Sequence, residues 1–178
     1  MIADVLVPLL KDFKVQFVAV GGGNPKIVDR LKSIKEMYPE KVGVHLMPDF
    51  TIPRLIFSGS DMMLFPSRFE PCGIVQMEAM RYGSVPIIRA TGGLFDTVDD
   101  FEPERDAGWG FVFNDFDPWA LFAQIVRAIE TYRQKKVWKE IQIRAMKQDN
   151  SWDSRAEEYA ELYEKAIQVH KQGLLESN

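Results

Sequence analysis

Cysteine is all but absent: Cys72 stands alone in 178 residues, so no internal disulfide is available. Histidine is nearly as scarce. His45 and His170 lie far apart and, with one cysteine, give no metal-ligand spacing, so no structural metal is expected. A basic block is also missing, and the formal net charge is −4, which argues against a nucleic-acid surface, whose phosphates call for clustered Lys and Arg. No apolar run reaches about 18 residues and no signal peptide is recognisable. These absences point away from a membrane and toward a cytoplasmic chain, or a plastid one if the source is a plant. Internal repeats, low-complexity segments and interdomain linkers are lacking as well. What remains is a chain with 46% hydrophobic residues, enough to bury the core of a single α/β domain spanning residues 1–178.

Short β-type runs alternate with helical ones, the pattern of a parallel sheet covered by helices on both faces. The expected strands are Val15–Val20, Val42–Leu46, Asp61–Pro66, Val85–Arg89 and Gly110–Phe113. Between them, Asn24 and Pro25 open a helix reaching about Met37, and a short helix lies near Pro53–Ser58. Beyond the last strand, Asp117 as N-cap and Pro118 in the first turn start a helix whose Leu121, Phe122, Ile125, Val126 and Ile129 share one apolar stripe. Another helix spans roughly Lys136–Met146. A third begins near Trp152 and carries Tyr159, Leu162, Tyr163, Ala166 and Ile167, read as packing residues. The acidic stretch Asp99–Asp106 reads as a solvated loop without a role. Met1 enters a helical pattern at once, with no capping residue, as an excised fragment would.

The chemistry concentrates in Ser67–Gly83. Glu70 and Glu78 stand eight positions apart, the first before an expected helix and the second inside an apolar stretch of it. Pro71 suits a first helical turn, and Gly73 lets another molecule approach the backbone, so unpaired amides are expected to face outward just after Glu70. Glu78 is flanked by Val75, Met77, Ala79 and Met80, and a buried carboxylate there needs hydrogen-bond donors such as a pair of ligand hydroxyls. The plainer alternative is that Glu70 caps the helix and Glu78 pairs with Arg81 on a solvated face. A glycosidase pair fits less well: such carboxyls lie about 5–9.5 Å apart, whereas eight residues of mostly helical rise separate these Cα atoms by about 12 Å.

Seven residues after Gly83 begins a second motif, Ala90 to Val98, directly after the β-branched strand. Its Gly92 and Gly93 suggest an anion cradle in which bare backbone and the start of a helix approach a phosphate, although a plain turn explains a glycine pair as readily. The Gly21-Gly22-Gly23 turn invites a dinucleotide reading. It lacks the Gly-x-Gly-x-x-Gly spacing, and no acidic residue ends the next strand to hold a ribose. In open α/β sheets ligands sit beyond the carboxyl ends of the strands, where all three loops are expected, so that one cleft would collect them.

Taken together, Ser67-Arg68-Phe69-Glu70-Pro71-Cys72-Gly73, Glu78, Tyr82-Gly83 and Thr91-Gly92-Gly93-Leu94-Phe95-Asp96-Thr97-Val98 resemble the carboxyl-terminal, nucleotide-sugar-binding half of bacterial glycogen synthases and plant starch synthases. The similarity runs from about Phe13 to about Lys165, and the two motifs in this order are far more specific than either alone. The resemblance implies a Rossmann-like half of a two-domain GT-B glycosyltransferase, with the amino-terminal acceptor-side domain outside this chain. It implies glucosyl transfer, with retention, from ADP-glucose or UDP-glucose to the non-reducing end of an α-1,4-glucan, without a separate cofactor or metal.

By the same resemblance Glu70 has the catalytic role, stabilising transition-state charge beside the donor glucose. The backbone around Cys72, Gly73 and Ile74 binds sugar hydroxyls, Glu78 the ribose hydroxyls, and Thr91, Gly92, Gly93 and Leu94 the diphosphate. Gly21, Gly22 and Gly23 form a loop near the site. An Arg and a Lys that neutralise the diphosphate in the family, and a Lys-Gly-Gly-type loop, fall outside these 178 residues. Where related synthases have a base-stacking Tyr this chain has Pro48, with Phe50 nearby as a substitute, which leaves adenine or uracil open. Two other readings stand beside this one: a retaining glycosyltransferase for another sugar or acceptor, and a non-catalytic nucleotide-binding module. The last helices would cross toward the absent domain.

Overall fold

Every strand forms where the β-branched runs place it, and every pairing is parallel. The computed structural model describes residues 1–47 and 51–176, which gather into two units, Met1–Lys147 and Gln148–Asn178. In the first, β1 (Phe17–Val20) leads through α2 (Pro25–Met37) to β2 (Val42–His45), with Phe17 opposite Val42. The Asn24 side chain caps α2 by accepting from the Lys26 amide at 2.9 Å. Next come α3 (Ile52–Gly59), β3 (Met62–Phe65), α4 (Val75–Arg81), β4 (Val85–Arg89), α5 (Gly93–Thr97) and β5 (Phe111–Phe113). β4 is central, with Met62 opposite Val85 on one side and Ile87 opposite Phe111 on the other.

The expected single sheet is divided into two hydrogen-bonded sections, β1-β2 and β3-β4-β5. Strands of four residues offer few ladder positions to a further neighbour, and helix packing joins the sections instead. Helix α1 (Ile2–Asp12) sends Val5 and Leu9 into the core over β4 and β5, and Ala3, Leu6 and Leu10 into a second cluster with Leu31, Ile34 and Val42. Met1 caps α1 without a side-chain hydrogen bond, as the sequence implies.

Alternation along β4 explains why helices cover both faces. Val85 and Ile87 enter the cluster shared with Phe111, Leu121, Ile125 and Ile141, whereas Ile88 enters the opposite one with Met80, Leu94 and Val98. Each fully buried side chain of this kind contributes about 1.5–3 kcal/mol. Asp117 begins α6 (Pro118–Arg133) as expected, accepting from the amides of Trp119 at 2.8 Å and Ala120 at 3.1 Å. The α6 stripe packs inward, and α7 (Lys135–Met146) adds Trp138, stacked on Phe111 at 6.1 Å between ring centroids.

Two sequence expectations fail here. The acidic stretch is more than a solvated loop: Asp100 accepts from the Val112 amide at 2.9 Å and pairs with Arg127 at 2.9 Å, while Arg127 also donates to the Phe101 carbonyl. Arg144 holds the other strand of the loop through the carbonyl of Gly108 at 2.9 Å and the carboxylate of Asp106 at 2.9 Å. Asp99 and the tip, residues 102–107, remain exposed. The second failure concerns α8 (Trp152–Glu176), which forms the second unit. Its Trp152, Tyr159, Leu162, Tyr163, Ala166 and Ile167 are exposed rather than packed, for a lone helix has no second layer on which to bury a stripe.

Candidate functional site

Because β3 and β4 are parallel neighbours, the segments that leave their carboxyl ends, Pro66–Ile74 and Ala90–Gly92, emerge side by side. They touch backbone to backbone. A Cβ on Gly92 would stand 1.8 Å from the Glu70 carbonyl oxygen, and one on Gly93 would stand 2.0 Å from that of Cys72. No side chain fits in either place, and Gly92 also holds φ at +47°, which L-residues rarely adopt. The glycines therefore serve the packing of one turn on the other. Beside the expected approach of a phosphate, this gives the glycine pair a second reason, because the space a side chain would take is filled by residues 70–72.

The first turn also departs from its expected shape. Helix α4 starts at Val75, four residues beyond Pro71, because Gly73 at φ +71° is left-handed and breaks a helical path. Pro71, Cys72 and Gly73 form an irregular turn instead. The separation of Glu70 and Glu78 is thus not set by helical rise, and the distance of about 12 Å drawn from that rise loses its basis. Glu78 is exposed, contrary to the expected burial: Gln76, Ala79 and Met80 take the inward positions of this short helix and turn Glu78 outward. Arg81 does not pair with it but donates to the Met146 carbonyl at 3.0 Å. Glu70 is half-buried on the turn beneath Gly92.

Two residues that the sequence reading passed over hold this arrangement. Gln76, with no solvent exposure, donates through Nε2 to the Gly73 carbonyl at 2.7 Å, more distantly to that of Cys72 at 3.4 Å, and to the Thr97 hydroxyl at 3.1 Å. Thr97 donates in turn to the Gly93 carbonyl at 2.6 Å. The signal was present in the sequence, since an amide at the inward position of an apolar helix must find partners. Arg89, at the end of β4, donates to the carbonyls of Arg68 at 3.0 Å and Asn114 at 3.1 Å, and its guanidinium lies 5.6 Å from the Phe116 ring centroid. A charged residue ending a buried apolar strand marks such a brace.

With the carbonyls of the two turns engaged inward, their amides stay available. The backbone N–H groups of Cys72, Gly73, Ile74, Gly92 and Gly93 make no hydrogen bond among the described residues, while Leu94 donates to the Thr91 carbonyl at 3.3 Å. Phe69, Ile74 and Phe95 are exposed around them. Cys72 is exposed, with Sγ 3.7 Å from the Gly73 carbonyl oxygen. Such a row of amides can receive an anionic or hydroxyl-rich ligand. Helix α5 has only five residues, so individual N–H groups rather than a long helix dipole would do this.

The Gly21 loop leaves the carboxyl end of β1. Gly21 donates to the His45 carbonyl at 2.9 Å at the end of the β1-β2 section, and no hydrogen bond among the described residues ties Gly21, Gly22 or Gly23 to the other two turns. Two of the three expected loops are in backbone contact. Pro48 and Phe50 lie outside the described residues. Among those residues, no group of three or more His, Cys, Asp and Glu side chains is arranged to hold a metal, and no helix is long and apolar enough to cross a membrane.

Residues 1–131 match the family described as "Glycosyl transferases group 1". The glycogen synthase of Fervidobacterium nodosum is 46% identical over 154 residues, 86% of this chain and 32% of that protein. That of Kosmotoga olearia is 43% identical over 153 residues, again 86% and 32%. Among solved structures, the catalytic domain of starch synthase IV from Arabidopsis thaliana, bound to ADP and acarbose, superposes with a TM-score of 0.80 at 32% identity. That superposition covers 94% of this chain and 35% of the other. The chain spans about a third of the length of the curated relatives it matches.

Proposed function

This chain belongs to the group 1 glycosyl transferases and shares the GT-B fold of starch synthase, and from that premise we propose that it is the donor-binding part of an enzyme that transfers glucose, with retention, from ADP-glucose or UDP-glucose to the non-reducing end of an α-1,4-glucan. The observation that carries the reading is the pair of interlocked turns beyond β3 and β4, whose unengaged amides lie on two touching backbones. A solved relative of the same fold holds ADP, which supports a nucleotide diphosphate as the ligand. In an enzyme of the relatives' full length, the region outside this chain would supply the acceptor side.

In this reading the amides of Gly92 and Gly93, with Thr91 and Leu94, take the diphosphate, and those of Cys72, Gly73 and Ile74 take sugar hydroxyls. Glu78 reaches the ribose hydroxyls from the solvent side of α4, and Glu70 stands by the glucose. As reaction proceeds, the anomeric carbon exchanges its bond to a phosphate oxygen for one to the acceptor's 4-hydroxyl oxygen, and the hydroxyl's proton passes to the departing diphosphate. Negative charge gathers on the departing diphosphate and positive charge on the sugar. Amides already fixed in place stabilise the first without reorganising, and the Glu70 carboxylate stabilises the second. The nucleotide sugar is substrate, and no separate cofactor or metal enters this scheme.

Titration of the chain with ADP, UDP and NAD, followed by amide NMR, tests the assignment. ADP or UDP should move the resonances of Gly92, Gly93 and Glu78, with millimolar affinity expected in the absence of further cationic residues. Unmoved resonances at saturation, or a response to NAD alone, would remove the nucleotide-sugar assignment.

A further inference from the structure

The link between the two turns is made underneath them, by side chains that no ligand needs to touch. Gln76 on α4 follows the first turn and Thr97 at the end of α5 follows the second. Their hydrogen bonds run in one chain from the Gly73 carbonyl, through Gln76 Nε2 and Thr97 Oγ1, to the Gly93 carbonyl, at 2.7, 3.1 and 2.6 Å. Every donor in that chain points at a carbonyl or hydroxyl oxygen. Gln76 Oε1 is buried without a partner among the described residues, so this side chain is present for its two N–H donors. A glutamate would face the same carbonyls with oxygen alone.

We propose that Gln76 and Thr97 are positioning residues, a buried strut that turns the ligand-facing amides of the first turn outward and fixes its distance from the second. The peptide group is planar and trans, so its C=O and N–H point in opposite directions. Holding the carbonyl of Gly73 inward therefore sets the N–H of Ile74, and holding that of Cys72 sets Gly73, while the bond to the Gly93 carbonyl anchors the strut in the second turn. The two amides are ones assigned above to the sugar, and the proposal rests on that assignment. Through the strut, a change at residue 97 should be felt at residues 73 and 74, although Thr97 makes no hydrogen bond with either.

Thr97→Val and Thr97→Ser in this chain test the strut, because valine keeps the shape and loses the hydroxyl while serine keeps the hydroxyl and loses a methyl. Amide NMR without ligand should show the Gly73 and Ile74 resonances displaced in Thr97→Val and close to wild type in Thr97→Ser. Titration with ADP and ADP-glucose should show affinity about tenfold weaker for Thr97→Val and within about twofold of wild type for Thr97→Ser. A merely space-filling Thr97 gives the reverse order, and that result, or unmoved Gly73 and Ile74 resonances in Thr97→Val, overturns the proposal. If wild type binds neither ADP nor ADP-glucose, the ligand assignment has failed, and the ligand-free spectra alone decide whether the strut exists.

Discussion

Glycine 92 and glycine 93 show how a glycine pair can be required by a neighbour that the sequence does not reveal. A glycine pair between a strand and a helix is visible in any listing of the chain, and its place beside a ligand is a fair expectation from sequence. What the sequence could not reveal is which neighbour needs the space, because the backbone of residues 70–72 reaches it only through the β3-β4 pairing. Gly93→Ala should therefore destabilise the unit by at least about 2 kcal/mol, as a methyl group forced onto the Cys72 carbonyl must move one turn or the other. Gly23→Ala provides the contrast. Nothing lies within 4 Å of its added Cβ, so the change should stay within about 0.5 kcal/mol. Urea denaturation of both variants measures the difference, and equal midpoints would mean that the turns are not interlocked. Glu78 teaches the same lesson from the other side. Its apolar sequence neighbours suggested burial, yet a seven-residue helix has room for only one inward row, and Gln76, Ala79 and Met80 fill it.

Among the elements, legibility followed locality. Strands, the Asn24 and Asp117 caps and the apolar stripe of α6 are set by residues within one or two turns of each other, and the sequence located them to within a residue or two. The start of α4 was misplaced because a proline that suits a first helical turn was weighed above the left-handed Gly73 that follows it. The acidic loop was misjudged for a different reason, since its anchors Arg127 and Arg144 come from α6 and α7, well downstream. Charge runs are usually solvated, and nothing local distinguishes this one. Two substitutions measure these element-level contributions. Asp117→Ala should cost about 1 kcal/mol by leaving the first amides of α6 without an acceptor. Arg127→Met should cost about 1–2 kcal/mol, since it leaves the Phe101 carbonyl without its side-chain donor and Asp100 with the Val112 amide alone, a value held down by the partial solvation of the pair. Thermal unfolding followed by circular dichroism reads both, and an unchanged midpoint for Arg127→Met would return the acidic stretch to the status of a free loop.

For the whole molecule, the division of labour follows from what a chain spanning about a third of its relatives' length contains. The described turns and α4 offer amides and two carboxylates, Glu70 and Glu78, and Glu70 is the half-buried one, set on the turn whose amides are assigned to the sugar. Binding and chemistry should therefore separate on mutation. Removing a group that acts only as charge develops lowers turnover without lowering ground-state affinity, by about 10²–10³-fold for a single electrostatic contributor. In an enzyme of the relatives' full length that carries this chain, Glu70→Ala should reduce glucosyl transfer by at least that factor, while ADP binding to the chain stays within about threefold of wild type. Glu78→Ala should do the opposite, weakening ADP by about five- to tenfold through loss of a ribose contact, with turnover at saturating donor largely kept. Initial rates over a range of ADP-glucose concentrations, set beside ADP titrations of the same variants, distinguish the two patterns. Retained turnover in Glu70→Ala would take that carboxylate out of the mechanism even if the nucleotide site were established. Both variants failing in the same way would mean that the two carboxylates do not grip opposite ends of one extended ligand.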